Sequence, residues 1–215
     1  MKIQRTPTLR RMPTYLHKLY LMRQEGKTYA SCTDLAKYMK IDQIVARKDI
    51  AMTGLAGHRR YGYKIDELID AILRYVGWDQ RIPATLIGAG ALGSALLGYS
   101  DFTTYNLRIE SVFDINPDKI GREIHGYTVQ DMAKLEKSLR HAPPKIAILC
   151  VSNTAAQPVA DALIKLGVRY LWNFANVCLS VPDDVIVQRE VIAGGFAVLA
   201  AKIKAAESGD SANEE

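Results

Sequence analysis

The chain has 215 residues, 48% of them hydrophobic, which suits one large domain or two small ones with a real core and excludes disorder throughout. The net charge of +5 conceals an asymmetry, since residues 1–76 carry 15 basic and 7 acidic side chains against 13 and 16 in the rest. A basic first third points to a polyanionic partner or, more plainly, to a solvated basic surface.

Pro13 fits the first turn of a helix, where its missing N–H would be unpaired anyway, and Leu16, Leu19 and Tyr20 follow at helical spacing. Ser31 stands three residues before Asp34 and predicts a capped second helix with Leu35, Ala36 and Met39 facing inward. Ile41 closes it. Asp42 predicts the cap of a third helix, Asp42 to Met52, buried through Ile44, Val45 and Ile50 and turning Gln43, Ala46, Arg47 and Lys48 outward. Two short helices joined by a tight turn form a helix-turn-helix, whose second member would enter the major groove. There Arg47 can donate two hydrogen bonds to guanine, Gln43 can pair with adenine and Lys48 can neutralise a phosphate. A helical bundle with a solvated basic face is the alternative.

Gly54 to Tyr63 combines three glycines, two adjacent arginines and strand-favouring tyrosines, a pattern that predicts a β-hairpin and therefore the wing of a winged helix. Arg59 and Arg60 fall at its tip, with His58 beside them, within reach of phosphates or of a narrow minor groove. Ile65, Leu68, Ile69, Ile72, Leu73 and Val76 then predict a fourth helix ending at Gly77.

From Ile82 the pattern changes to an apolar strand that runs into Gly88-Ala89-Gly90-Ala91-Leu92-Gly93 and an apolar helix. This is G-x-G-x-x-G in the setting that a dinucleotide site requires: Gly88 for the turn, Gly90 for close approach of a pyrophosphate, Gly93 for helix–strand packing. A glycine turn kept only for packing is the plainer account. A second strand, Leu107 to Phe113, ends in Asp114, 21 residues past Gly93. A carboxylate there can accept both hydroxyls of an adenosine ribose and repels a 2′-phosphate, which favours NADH or NAD+ over the phosphorylated cofactors.

Lys145 to Val151, Thr154 to Leu166 and Tyr170 to Phe174 read as strand, helix and strand. The alternation implies an α/β fold with a doubly wound parallel sheet, and its strand ends place Ser152 and Asn153, with Val151 before them, and Asn173 to Ala175 near the ligand. After short apolar segments around Val181 and Val185, Val191 to Ala206 predicts a last helix too apolar for water, with Phe196, Leu199 and Ile203 on one stripe. Burial against a partner subunit accounts for it better than packing on its own domain. Residues 207–215 read as a disordered acidic tail.

No run nears the roughly 18 apolar residues of a membrane span, and the basic start, Met1 to Arg11, lacks the apolar segment of a signal peptide. The expectation is a soluble, unexported, cytoplasmic protein with no membrane partner. Cys32, Cys150 and Cys178 suit neither a disulfide framework nor a metal site, and the four histidines are scattered.

In this order the parts resemble the Rex family of redox-sensing transcriptional repressors. The resemblance rests on Arg47-Lys48-Asp49, on the glycines and Arg59 of Gly54 to Tyr63, on the glycine loop, on Phe113-Asp114-Ile115-Asn116-Pro117-Asp118-Lys119-Ile120-Gly121 and on Asn173-Phe174-Ala175. It implies a winged helix-turn-helix domain over 1–79, a Rossmann domain over 80–188 and a domain-swapped dimerisation helix over 189–206. It also implies a homodimer on a near-palindromic double-stranded operator, released when NADH accumulates, with NAD+ the weaker ligand. Ile115, Lys119 and Tyr99 join the candidate cofactor contacts on the same ground.

The chain departs from the family at His17, commonly an arginine, at Val191, commonly an aspartate, and at Val151-Ser152, usually Val-Pro. The first two changes remove both charges of a polar network at the nicotinamide end, so DNA binding and the dinucleotide fold carry over more firmly than redox sensing. A DNA-binding dimer with altered or lost dinucleotide response is therefore the variant reading. A dehydrogenase is the other class, disfavoured because neither His125 nor His141 lies at a strand end where a general acid or base is needed.

Overall fold

A computed structural model describes residues 6–208, and its chain divides after Arg81 into two compact units. Most of the tail expected over 207–215 lies outside the described residues; Glu207 itself ends a helix.

The first unit contains α1 (Thr6–Gln24), β1 (Tyr29–Ala30), α2 (Cys32–Met39), α3 (Gln43–Ala51), β2 (Tyr63–Lys64) and α4 (Ile65–Val76). Helix α1 begins well before Pro13, which lies inside it, so Pro13 is not the starting residue that its chemistry suggested. The turn that precedes Pro13 carries Thr8 and Arg11, both bonded to a carboxylate on α3, and these bonds hold the helix N-terminal to the proline. Helix α2 has the expected cap: Ser31 accepts from the Asp34 N–H at 3.1 Å, and Asp34 accepts from the Ser31 N–H at 3.1 Å. Lys40 ends α2 in the left-handed region at φ 54°. Helix α4 ends at Gly77, φ 76°, as its sequence predicts.

The inward face of α3 differs from expectation. Ile44 is exposed, while Ala46, Asp49 and Ile50 are buried, so Ala46 is corrected from a DNA-facing residue to a core residue. The expected hairpin is also smaller. Within it only His58 and Gly62 bridge, leaving Arg59, Arg60 and Tyr61 as the turn, and Tyr63 pairs instead with Ala30 of β1. Gly62 explains why the two segments can cross: at φ +83° its missing Cβ would fall 2.4 Å from the Ala30 carbonyl oxygen.

The second unit is a seven-stranded sheet in the order β5-β6-β4-β3-β7-β8-β9. Its strands are β3 (Ile82–Ile87), β4 (Leu107–Asp114), β5 (Glu123–Ile124), β6 (Tyr127–Asp131), β7 (Ile146–Leu149), β8 (Tyr170–Asn173) and β9 (Ile186–Arg189). All pair in parallel except the edge hairpin of β5 and β6. Numbered within the parallel set, the order is 3-2-1-4-5-6, the Rossmann arrangement, and the chain reverses direction across the sheet between β3 and β7.

Alternate residues of the strands enter two separate cores. Leu86, Val112 and Ile148 join the side covered by α5 (Ala91–Leu97) and α6 (Asp101–Thr104), while Ile87, Phe113 and Leu149 join the side of α7 (Leu135–Leu139) and α8 (Asn153–Lys165). Helices on both faces make the sheet doubly wound. The last helix, α9 (Ile192–Glu207), has no buried residue; Phe196 is 70% exposed, and Ile192, Leu199 and Ile203 are exposed with it.

Candidate effector cleft and nucleic-acid interface

The reversal between β3 and β7 opens a cleft of about 260 Å³ at the carboxyl ends of the two strands. Its floor is the glycine loop. Gly88 sits at φ +95°, where an added Cβ would lie 2.4 Å from the Cys150 carbonyl oxygen, and a Cβ on Gly93 would lie 1.9 Å from the Gly88 carbonyl oxygen. Both positions therefore exclude any side chain. In front of Gly90, by contrast, the space is open for 4 Å, which is where an anion approaching the backbone would need room. Ala91 and Leu92 begin α5 behind this loop and do not line the cleft.

Asp114 closes one end of the cleft. Its Oδ2 accepts from the Ala89 N–H at 2.7 Å and its Oδ1 from the Asn116 N–H at 2.8 Å, while Lys119 Nζ stands 3.5 Å from Oδ2. The Ala89 amide is thus committed to Asp114 and is not free for a phosphate. A carboxylate fixed by two backbone amides, facing an open glycine loop, fits a nucleotide with an unmodified ribose diol and a pyrophosphate. Ile115 and Lys119 line the same end, Val151 and Ser152 the other, and Ser152 Oγ lies 3.1 Å from Thr154 Oγ1.

Two expected contacts stand elsewhere. Asn173 is wholly buried, its Nδ2 donating to the Val177 carbonyl and its Oδ1 accepting from the Ala175 N–H, so it shapes the turn after β8 and does not line the cleft. Tyr99 lies past the far end of α5 from the glycine loop, packed edge-on to Phe102 at 4.9 Å and donating to Asp101 Oδ2 at 3.1 Å. Sequence reasoning missed Ile87, Met132, Cys150, Ala155 and Val159, which complete the cleft wall. Met132 and Cys150 follow directly on strand ends, the same signal that selected Ser152. Burial pushes the Cys150 thiol up to about 12, so it is a protonated, apolar wall.

The second surface lies in the first unit. A concavity of about 380 Å³ separates α3 from the turn before β2, and Gln43, Arg47, His58, Arg59 and Arg60 line it. Lys48 is exposed on the adjoining turn of α3. The His58 ring meets Tyr29 edge-on at 5.9 Å and the Tyr61 ring lies tilted against Tyr29 at 5.4 Å, so the short turn is anchored through aromatic contacts to β1.

Behind this face, Asp49 is 2% exposed and fully bonded. It accepts from Thr8 Oγ1 at 2.7 Å, from Arg11 Nε at 2.6 Å and Nη2 at 2.9 Å, and from the Tyr15 hydroxyl at 2.9 Å. Burial raises the Asp49 carboxyl, but the hydrogen bonds from Arg11, Thr8 and Tyr15 outweigh it and hold the group below its ordinary value. Burial raises the Tyr15 hydroxyl, helped by Asp49. This network fixes α3 against α1. Among the described residues no group of histidine, cysteine, aspartate or glutamate could hold a metal ion, and no helix is long and apolar enough to cross a membrane.

Comparison with known proteins bears on both surfaces. Residues 6–51 match the family described as a putative DNA-binding protein N-terminus, and residues 79–177 match the CoA binding domain family. The chain is 40% identical over 198 residues to the redox-sensing transcriptional repressor Rex of Treponema denticola, covering 92% of this chain and 94% of that one. It is 38% identical to Rex of Lactobacillus gasseri, covering 84% and 85%, and 33% identical to Rex of Bacteroides fragilis, covering 90% and 88%. Among solved structures, the Rex-family repressor RSP in complex with NAD+ and operator DNA superposes with a TM-score of 0.85 at 28% identity, over 99% of this chain and 100% of that one. The same repressor with NADH gives 0.82 over 96% and 97%, also at 28% identity.

Proposed function

The chain belongs to the Rex family of redox-sensing transcriptional repressors, and from that premise we propose that it holds operator DNA until NADH occupies its cleft. The observation that carries this reading is the pairing, in one chain, of a basic recognition face with a Rossmann switch-point cleft ending in Asp114. Arg47 and Gln43 read bases, Lys48, Arg59 and Arg60 meet the backbone, and His58 lies beside them. In the cleft, the Gly90 backbone faces the pyrophosphate, Asp114 the adenosine ribose, and Val151 and Ser152 the nicotinamide half. The cofactor, when bound, supplies the redox signal through its two oxidation states and is not consumed.

A homodimer joined through α9 accounts for a 16-residue helix with Phe196, Leu199 and Ile203 in the open. Such apolar area is stable only under a cover, and a swapped helix from a second copy supplies one on each side. The operator is then near-palindromic, with half-sites about one or two helical turns apart. NADH shifts the dimer only by the difference in its affinity for the two arrangements, and every phosphate contact broken weakens DNA binding further.

A second reading, a dimer whose DNA binding ignores the dinucleotide, is favoured by two residues. Val191 is the N-cap of α9 and makes no side-chain cap, and His17 is exposed near Tyr38, ring centroids 6.3 Å apart. Calorimetric titration of the purified protein with NADH and, separately, NAD+ decides between them. The proposal expects NADH to bind well ahead of NAD+; equal affinity, or binding of neither, overturns it.

A further inference from the structure

The repressor reading leaves one side chain of the recognition face without a role. Ile44 is 60% exposed, in the first turn of α3, where Asp42 Oδ1 accepts its backbone N–H at 2.5 Å and fixes its position. Residues three and four apart share a helix face, so Ile44 projects beside Arg47 and Lys48, next to Gln43, and opposite buried Ala46, Asp49 and Ile50. Single exposed isoleucines are ordinary on protein surfaces. This one is ringed by exposed polar and basic groups, at the helix end whose residues reach base edges when a helix-turn-helix docks.

An isoleucine has nothing to offer a base by hydrogen bonding. The apolar group that base pairs present in the major groove is the C5-methyl of thymine. We propose that Ile44 is a specificity-determining residue that packs against a thymine methyl beside the base read by Arg47, so that each operator half-site carries a thymine there. The inference rests on the repressor reading. It explains the exposure of Ile44 without any further partner, because the surrounding positive charge draws the face onto DNA and association covers the side chain.

Desolvating a methyl group is worth about 0.8 kcal/mol, which converts to about four-fold in affinity. The test uses the full chain and the double-stranded sequence that it selects from a random library. Each thymine of the half-site is replaced in turn by deoxyuridine, which removes only the methyl and leaves base pairing intact. Binding is measured for the native protein and for Ile44→Ala, whose thermal stability should match the native value because the site is exposed. The expected result is a loss of about four-fold at one thymine per half-site, a similar loss for Ile44→Ala on the unmodified site, and no response of Ile44→Ala to deoxyuridine at that position. If the native protein is indifferent to deoxyuridine at every position, or Ile44→Ala keeps the full discrimination, the inference is overturned while the repressor reading stands. Failure to select any sequence removes both.

Discussion

Removing the Asp49 carboxylate is expected to loosen the recognition helix from inside the protein. Four hydrogen bonds from Thr8, Arg11 and Tyr15 converge on this one group, and Tyr15 is itself fully buried. In Asp49→Ala the Tyr15 hydroxyl and the partly exposed Arg11 guanidinium lose their acceptor, and breaking one side of a buried pair costs about 3–5 kcal/mol. A unit of the size of residues 1–81 carries about 4–12 kcal/mol in total at typical stability per residue, so the loss is a large part of it. Urea unfolding followed by circular dichroism should show an early transition for the first unit, with operator affinity falling in step. Asp49→Leu combined with Arg11→Met, Tyr15→Phe and Thr8→Val should regain much of the stability, since apolar replacement of a whole buried network is often neutral. Because the folded carboxyl lies below its ordinary 3.8, its contribution is complete above that pH and is lost as the pH falls through the lowered value. An Asp49→Ala variant within about 1 kcal/mol of native would refute the reasoning, since surface-like substitutions behave that way.

Three further expectations concern the two surfaces. Gly93→Ala must displace either α5 or the Gly88 carbonyl, and a strain of about 1–3 kcal/mol there should weaken NADH binding in calorimetry by about 5- to 150-fold while leaving DNA binding intact. If Arg47 reads a guanine, Arg47→Ala should cost about 1–3 kcal/mol at one base position, whereas Arg59→Ala should weaken all sequences and lower the salt slope by about one unit. A uniform loss from Arg47→Ala would contradict its assignment. The raised Cys150 thiol stabilises the fold fully below the ordinary thiol value of 9.0, and that contribution fades as the pH rises toward about 12. Alkylation followed by mass spectrometry at neutral pH should therefore label exposed Cys178 long before Cys150.

The parts of this molecule that local chemistry specifies were legible in the sequence. The glycine loop followed by Asp114, the Ser31–Asp34 capping box and the Gly77 stop each depend on residues a few positions apart or on a fixed backbone geometry. Elements set by distant partners were not. Strands β1 and β5 have two residues each, too short for periodicity, and they exist because a neighbouring strand offers hydrogen bonds. The faces of α3 were misjudged for the same kind of reason. Hydrophobicity assigned Ile44 to the core and left Asp49 out of it, but Arg11, 38 residues away in sequence, makes the burial of Asp49 affordable and rotates the helix accordingly. Asn173 was rightly placed at a strand end, and its inward turn could be seen only from Val177 and Ala175.

The coupling of the cleft to the recognition face is tested most directly by operator release. Fluorescence anisotropy of the labelled, selected operator bound to the full chain should fall to the free-DNA value on adding NADH, at concentrations well below those at which NAD+ has any effect. An operator that stays bound at saturating NADH would contradict redox sensing and leave a DNA-binding dimer that answers to something other than the dinucleotide.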